Sequence, residues 1–167
     1  MFRFVVLSCT VFALAQANTT QVSHCKGSTG PLPSKTNIHG CNTPPCALPQ
    51  LQDAVIDVDF ATSGPVRNMK TFATAYLPIG LLSIPVPYDL GENSVTCLFL
   101  TNTLCPVQGR KLLKYTLKMP IETFFPVGIR VTVEFRVVDE SNNHDLMCLR
   151  VPILIAPPVA KIKEGGD

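Results

Sequence analysis

The chain has 167 residues, 14 of them basic and 12 acidic, for a formal net charge of +2. The basic residues are scattered and form no cluster that could follow a phosphate backbone, which excludes nucleic acid as a partner. The 15 prolines and the many Val, Ile, Leu and Thr residues point to strands and turns, in a length that suits one domain with its own core.

The first stretch reads as a leader. Arg3 is a small basic n-region, Phe4 to Leu14 an apolar h-region, and Ala15-Gln16-Ala17 a small-residue cleavage site. It is too short and wrongly flanked to span a bilayer, and no later run reaches about 18 apolar residues. The expected mature protein therefore starts at Asn18 and is secreted. The expected domain runs over 18–155. The tail over 156–167, rich in Pro, Lys and Gly, is expected to fray.

Inside the domain, period-2 alternation recurs in chain order. In "AVIDVDF", Ala54, Ile56, Val58 and Phe60 share one face and Asp57 and Asp59 the other. "MKTFATAYL" (69–77) is a strand of weaker alternation. "LLSIPVPYDL" (81–90) is apolar, yet Pro85 and Pro87 alternate with Ile84, Val86 and Tyr88. Proline donates no ladder hydrogen bond, so this strand belongs at a sheet edge. In "LKYTLKM", Leu113, Tyr115, Leu117 and Met119 oppose Lys114, Thr116 and Lys118. In "IRVTVEFRV", Ile129, Val131, Val133, Phe135 and Val137 oppose Arg130, Thr132, Glu134 and Arg136. "MCLRVPILI" (147–155) is a last strand. Turn clusters at Ser63-Gly64-Pro65, Gly91-Glu92-Asn93 and Glu140–Asn143 separate them. One buried and one wet face per strand is the mark of antiparallel sheets, and several such strands predict an all-β, two-sheet antiparallel sandwich. A true immunoglobulin domain would need a Trp packed on an inter-sheet disulfide, and the chain has no Trp.

The expected mature chain keeps six cysteines: Cys25, Cys41, Cys46, Cys97, Cys105 and Cys148. An even number in an oxidising compartment predicts three disulfides, and spacing alone leaves 15 pairings open. Zinc is disfavoured, because no C-x2-C pair occurs. Catalytic signals are weak. There is neither a G-x-S-x-G elbow nor a P-loop. His24, His39 and His144 lie far apart near turns and read as solvated loop residues. Asp57 and Asp59 read as exposed acids on a polar face rather than a glycosidase pair. The expectation is a non-enzyme with neither cofactor nor metal.

One series of motifs is more specific. "HCKG", "HGCNTPPC", "IPVPY", "CPVQGRKLLKY", "MPIETFFPVGIRVTVEF" and "CLRVPILI", in that order, resemble the ML (MD-2-related lipid-recognition) family, and within it the Niemann-Pick type C2 group in its arthropod branch. The resemblance covers roughly Cys25 to Ile155. It implies the pairings Cys25–Cys148, Cys41–Cys46 and Cys97–Cys105. It implies an immunoglobulin-like sandwich with an apolar cavity between the sheets, holding a fatty acid, a sterol or a similar hydrophobic semiochemical. Tyr88 matches an aromatic residue that touches ligand, Ile121 an apolar pocket residue, and Phe125-Pro126 an aromatic-Pro pair at the entrance. The faces of Ile56, Val58 and Phe60, and of Ile129, Val131, Val133 and Phe135, would line the walls, with Leu149 after the last cysteine. Phe135 and Leu149 stand where the sterol carriers have Trp, Tyr88 where Phe is usual, and Ser83 where Gly is usual. The implied protein is a monomeric carrier that delivers to a membrane or receptor acceptor. The second reading is an innate-immune protein that presents microbial lipid to a receptor.

Overall fold

A computed structural model describes residues 19–159. The expected leader, Asn18 and the end of the tail lie outside the described residues. Eight strands form two sheets: β1 (Lys35–Ile38), β2 (Cys46–Pro49), β3 (Asp53–Ala61), β4 (Met69–Ile79), β5 (Leu82–Tyr88), β6 (Leu112–Pro120), β7 (Arg130–Asp139) and β8 (His144–Ala156). One sheet has the order β1-β3-β6, the other β2-β8-β7-β4-β5. Two 3₁₀ turns, Gly91–Ser94 and Thr96–Phe99, lie between β5 and β6.

The predicted alternation sets which face is buried. Ile56, Val58 and Phe60 of β3 and Leu113, Tyr115, Leu117 and Met119 of β6 are all buried. They face Val131, Val133, Phe135 and Val137 of β7 across the core. Hydrophobic burial of these two inner faces holds the sheets together. Two features depart from the sequence reading. Strands β1 and β2, four residues each, are too short to show a period. Strand β2 also runs parallel to β8, pairing Cys46 with Ile153 and Pro49 with Ala156, so the sandwich is antiparallel but for this one pair.

The weak alternation of β8 has a local cause. Asp145 to Leu149 are buried on both faces, because the segment before β1 lies along this strand. Ser23 and Arg150 exchange backbone hydrogen bonds at 2.9 and 2.8 Å, and the Cys148 N–H donates to the Pro31 carbonyl at 3.0 Å. Gly30 is packed tightly there, since a Cβ would come to 3.0 Å from the Asp145 Cβ and from the Met147 backbone.

The disulfides are Cys25–Cys148, Cys41–Cys46 and Cys97–Cys105, with Cα–Cα distances of 5.8, 5.3 and 5.7 Å. These are the pairings implied by the resemblance. The first ties the covering segment to β8. The second joins β2 to the turn after β1.

Candidate functional site

Strands β6 and β7 are joined at one end of the sandwich by a loop over 121–129, and β5 ends beside that loop. Between the sheets at this end lies a cavity of about 20 Å³ lined by Ala75, Tyr88, Met119, Ile121, Phe125, Val131, Val133, Ile153 and Ile155. No polar atom of its wall faces the void. The hollow follows from size along β4. Ala73 and Ala75 are small where neighbouring strands carry larger side chains, and Ala75 pairs with Val133 on one side and Val86 on the other.

Aromatic rings form part of the cavity's wall. Tyr88 and Phe125 stack tilted at 5.7 Å between centroids, and Phe125 meets Phe124 at 4.2 Å. The Tyr88 hydroxyl donates to the Pro120 carbonyl at 2.6 Å. Burial, then the carboxylates of Glu122, Asp53 and Asp89, push this hydroxyl up to about 12. The loop is tied down by Gln50, which is buried and whose Nε2 donates to the Phe125 carbonyl at 2.7 Å and to Thr123 at 3.3 Å.

The proline strand takes the place its sequence demands. β5 is the outer strand of its sheet and pairs with β4 alone, from Ala73↔Tyr88 to Ile79↔Leu82. Pro85 and Pro87 thin out the N–H groups that a further strand would need. Unlike the other strands, β5 buries little. Leu82, Ile84 and Val86 are exposed, as are Phe124 (68 %) and Val127 on the loop.

Of the sequence-predicted site residues, Tyr88, Ile121, Phe125, Val131 and Val133 come together around the cavity. Pro126 is exposed beside Phe125, and its carbonyl accepts from the Ile129 N–H at 3.2 Å. Ile56, Val58, Phe60, Phe135 and Leu149 lie fully buried in the packed core and are not among the lining residues. Sequence reasoning missed Ala75, Met119, Ile153 and Ile155 as lining. The two alanines of "FATAY" were the available signal.

Other chemistry-bearing groups do not converge. His39 Nε2 lies 2.7 Å from Asp57 Oδ2 on the exposed face of the three-stranded sheet, and Thr116 donates to the same carboxylate. Burial raises the Asp57 carboxyl, but the bonds to His39 and Thr116 outweigh it and hold the group below its ordinary value. Cys25, Cys148 and Glu134 cluster within 4.8 Å, yet both sulfurs are spent in a disulfide and offer no thiolate.

The sequence profile of the ML domain matches residues 19–155. The chain belongs to the ML domain family. Among curated relatives it is 28 % identical to mouse NPC intracellular cholesterol transporter 2, over 92 % of this chain and 98 % of that protein. The dog protein of the same name is 26 % identical over the same shares. The fold matches the crystal structure of a Niemann-Pick type C2 protein from the Japanese carpenter ant, with a TM-score of 0.65, 20 % identity, and coverage of 81 % of this chain and 98 % of that one. Among the described residues, no helix is long and apolar enough to cross a membrane.

Proposed function

We propose that this ML domain protein is a secreted, non-enzymatic carrier that holds one fatty acid, sterol or similar hydrophobic semiochemical between its sheets. It acts as a monomer and hands its ligand to a membrane or receptor acceptor. The observation that carries this reading is the wholly apolar cavity behind the Tyr88–Phe125 ring pair. The cholesterol transport named for the mouse and dog relatives supports it.

A cavity of about 20 Å³ has room for one water, whereas ligand sites span roughly 300–1,000 Å³. Loading therefore widens the mouth. Burying about 300 Å² of apolar ligand surface contributes roughly 7 kcal/mol before entropic costs, at about 25 cal/mol/Å². Parting the Tyr88–Phe125 pair costs about 1 kcal/mol. The roughly 6 kcal/mol that remains before entropic costs corresponds to a Kd of tens of micromolar at best, so tighter binding needs a larger buried ligand surface.

Titration with a fluorescent fatty-acid or sterol probe tests the reading. Saturable binding that Phe125→Asp weakens is expected, since a carboxylate at the mouth must be desolvated. Unchanged affinity in a folded Phe125→Asp variant refutes the entrance assignment.

The destination is extracellular. Asn18-Thr19-Thr20 is the one N-x-S/T sequence in the chain, and it stands at the expected mature N-terminus, leaving the folded domain with no acceptor for a sorting glycan. Recovery of the protein mainly from lysosomes rather than medium would contradict this.

A further inference from the structure

The two sheets meet at the mouth through their free edges. Tyr88 ends β5, the outer strand of the five-stranded sheet, and Pro120 ends β6, the outer strand of the three-stranded sheet. The Tyr88 hydroxyl bond to the Pro120 carbonyl, 2.6 Å long, spans the gap between them. The wall behind it is wholly apolar.

Any occupant larger than a single water must push these edges apart. Tyr88, Ile121 and Phe125 all line the same void, so widening it draws the hydroxyl off the carbonyl. The freed hydroxyl of this half-buried residue then stands between solvent and the apolar wall, and a seated ligand shields it from water. An acceptor on the ligand replaces the bond that the ligand's own bulk takes away.

We propose that Tyr88 is a latch and a head-group selector: its hydroxyl closes the empty mouth on Pro120 and, once displaced, favours ligands with an uncharged hydrogen-bond acceptor at one end. The selected class is ketones, esters, aldehydes and alcohols on a long apolar tail, over bare hydrocarbons. An ionised carboxylate is disfavoured, because Asp89 follows Tyr88 in the chain and Asp53 pairs with Pro120 in the β3–β6 ladder, which puts negative charge at this edge. The proposal rests on the carrier reading above.

The test compares wild type with Tyr88→Phe, which keeps the ring. Decane, 2-decanone and decanoate are used to displace bound N-phenyl-1-naphthylamine. The quantity read is each protein's ketone-to-alkane affinity ratio, so that intrinsic hydrophobicity cancels between proteins. The ratio is expected to fall about tenfold in Tyr88→Phe, with faster association of the dye. In wild type, 2-decanone is expected to bind more tightly than decanoate. An unchanged ratio alongside normal dye binding overturns the selector and leaves the carrier reading standing. Tighter decanoate binding in wild type overturns the uncharged-head assignment, and this arm needs no variant. Failure of every probe, dye included, to bind either protein overturns the carrier reading and the proposal with it.

Discussion

Where β3 ends at Ala61 and β6 begins at Leu112, the sheets are packed with large side chains. Phe60, Met69, Leu113, Tyr115, Phe135 and Val137 are buried there, and the Thr71 hydroxyl bonds both the Thr96 and Tyr115 hydroxyls at 2.8 Å. Where β3 begins at Asp53 and β6 ends at Pro120, the same two sheets carry Ala75, Met119 and a ring pair across a void. Both ends use the same alternating strands. The difference is what stands opposite each face: one end spends its volume on packing and polar ties, and the other leaves a space. In the proposed reading the first end supplies stability and the second takes up ligand, so substitutions at the two ends should separate these properties.

The largest separation is expected between two phenylalanines. Phe135→Ala should destabilise by about 3–5 kcal/mol, the cost of a large cavity in a packed core. Phe125→Ala, at the half-buried mouth, should cost about 1 kcal/mol. Urea unfolding of both variants measures this, and equal costs would erase the distinction between the ends.

Alkaline pH should strike the packed end next. Burial, only partly offset by the bonds to Thr71 and Thr96, raises the Tyr115 hydroxyl from 10.0 to about 12. A raised value means that the stability is complete below the unfolded value and is lost as pH rises through the folded one. Roughly 3 kcal/mol should disappear between about pH 10 and 12, and Tyr115→Phe should flatten that slope in pH-dependent unfolding.

Filling the hollow sharpens the comparison from the other side. Ala75→Leu projects a larger side chain into the void. It should cost about 1–2 kcal/mol while lowering probe affinity about tenfold by equilibrium titration. Full affinity in that variant would place the ligand elsewhere.

The smallest effect is expected off the core. Asp57 is held below its ordinary value of 3.8 by His39 and Thr116, against the opposing pull of burial. Its contribution is therefore present above that value and lost as pH falls through the lower, folded one. Because the pair is half-exposed, Asp57→Asn should cost no more than about 0.5 kcal/mol at neutral pH. The melting temperatures of variant and wild type should converge in acid.

The contrast between the ends also shows how far the sequence could be read. Strands β3, β6 and β7 were legible because each buries one face and wets the other over nine or ten residues. Pro85 and Pro87 placed β5 at an edge. The parallel partner of β8 was not legible, since β2 carries four residues and its direction is set by the chain's path through the Cys41–Cys46 turn. For the site, periodicity marked inward faces but could not say which stretch of a face is packed and which is hollow. Phe135 and Val133 alternate identically, yet only Val133 lines the void. That depends on the residue across the sheet, and Ala75 becomes informative only when the register is known. Tyr88, Ile121 and Phe125 were singled out through the resemblance, because Ile121 and Phe125 stand singly on a loop and Tyr88 ends a strand with little burial on either face.

The central claim is that the hollow end takes up one apolar molecule and gives it back unchanged. Native mass spectrometry, after incubation with a mixture of fatty acids, sterols and long-chain ketones, tests this most directly. The account predicts a complex of one protein with one ligand, whose ligand is released on denaturation with its mass unaltered, and which Ala75→Leu makes scarcer at subsaturating ligand. A protein that stays ligand-free under saturating lipid, or that releases a chemically altered molecule, would contradict it.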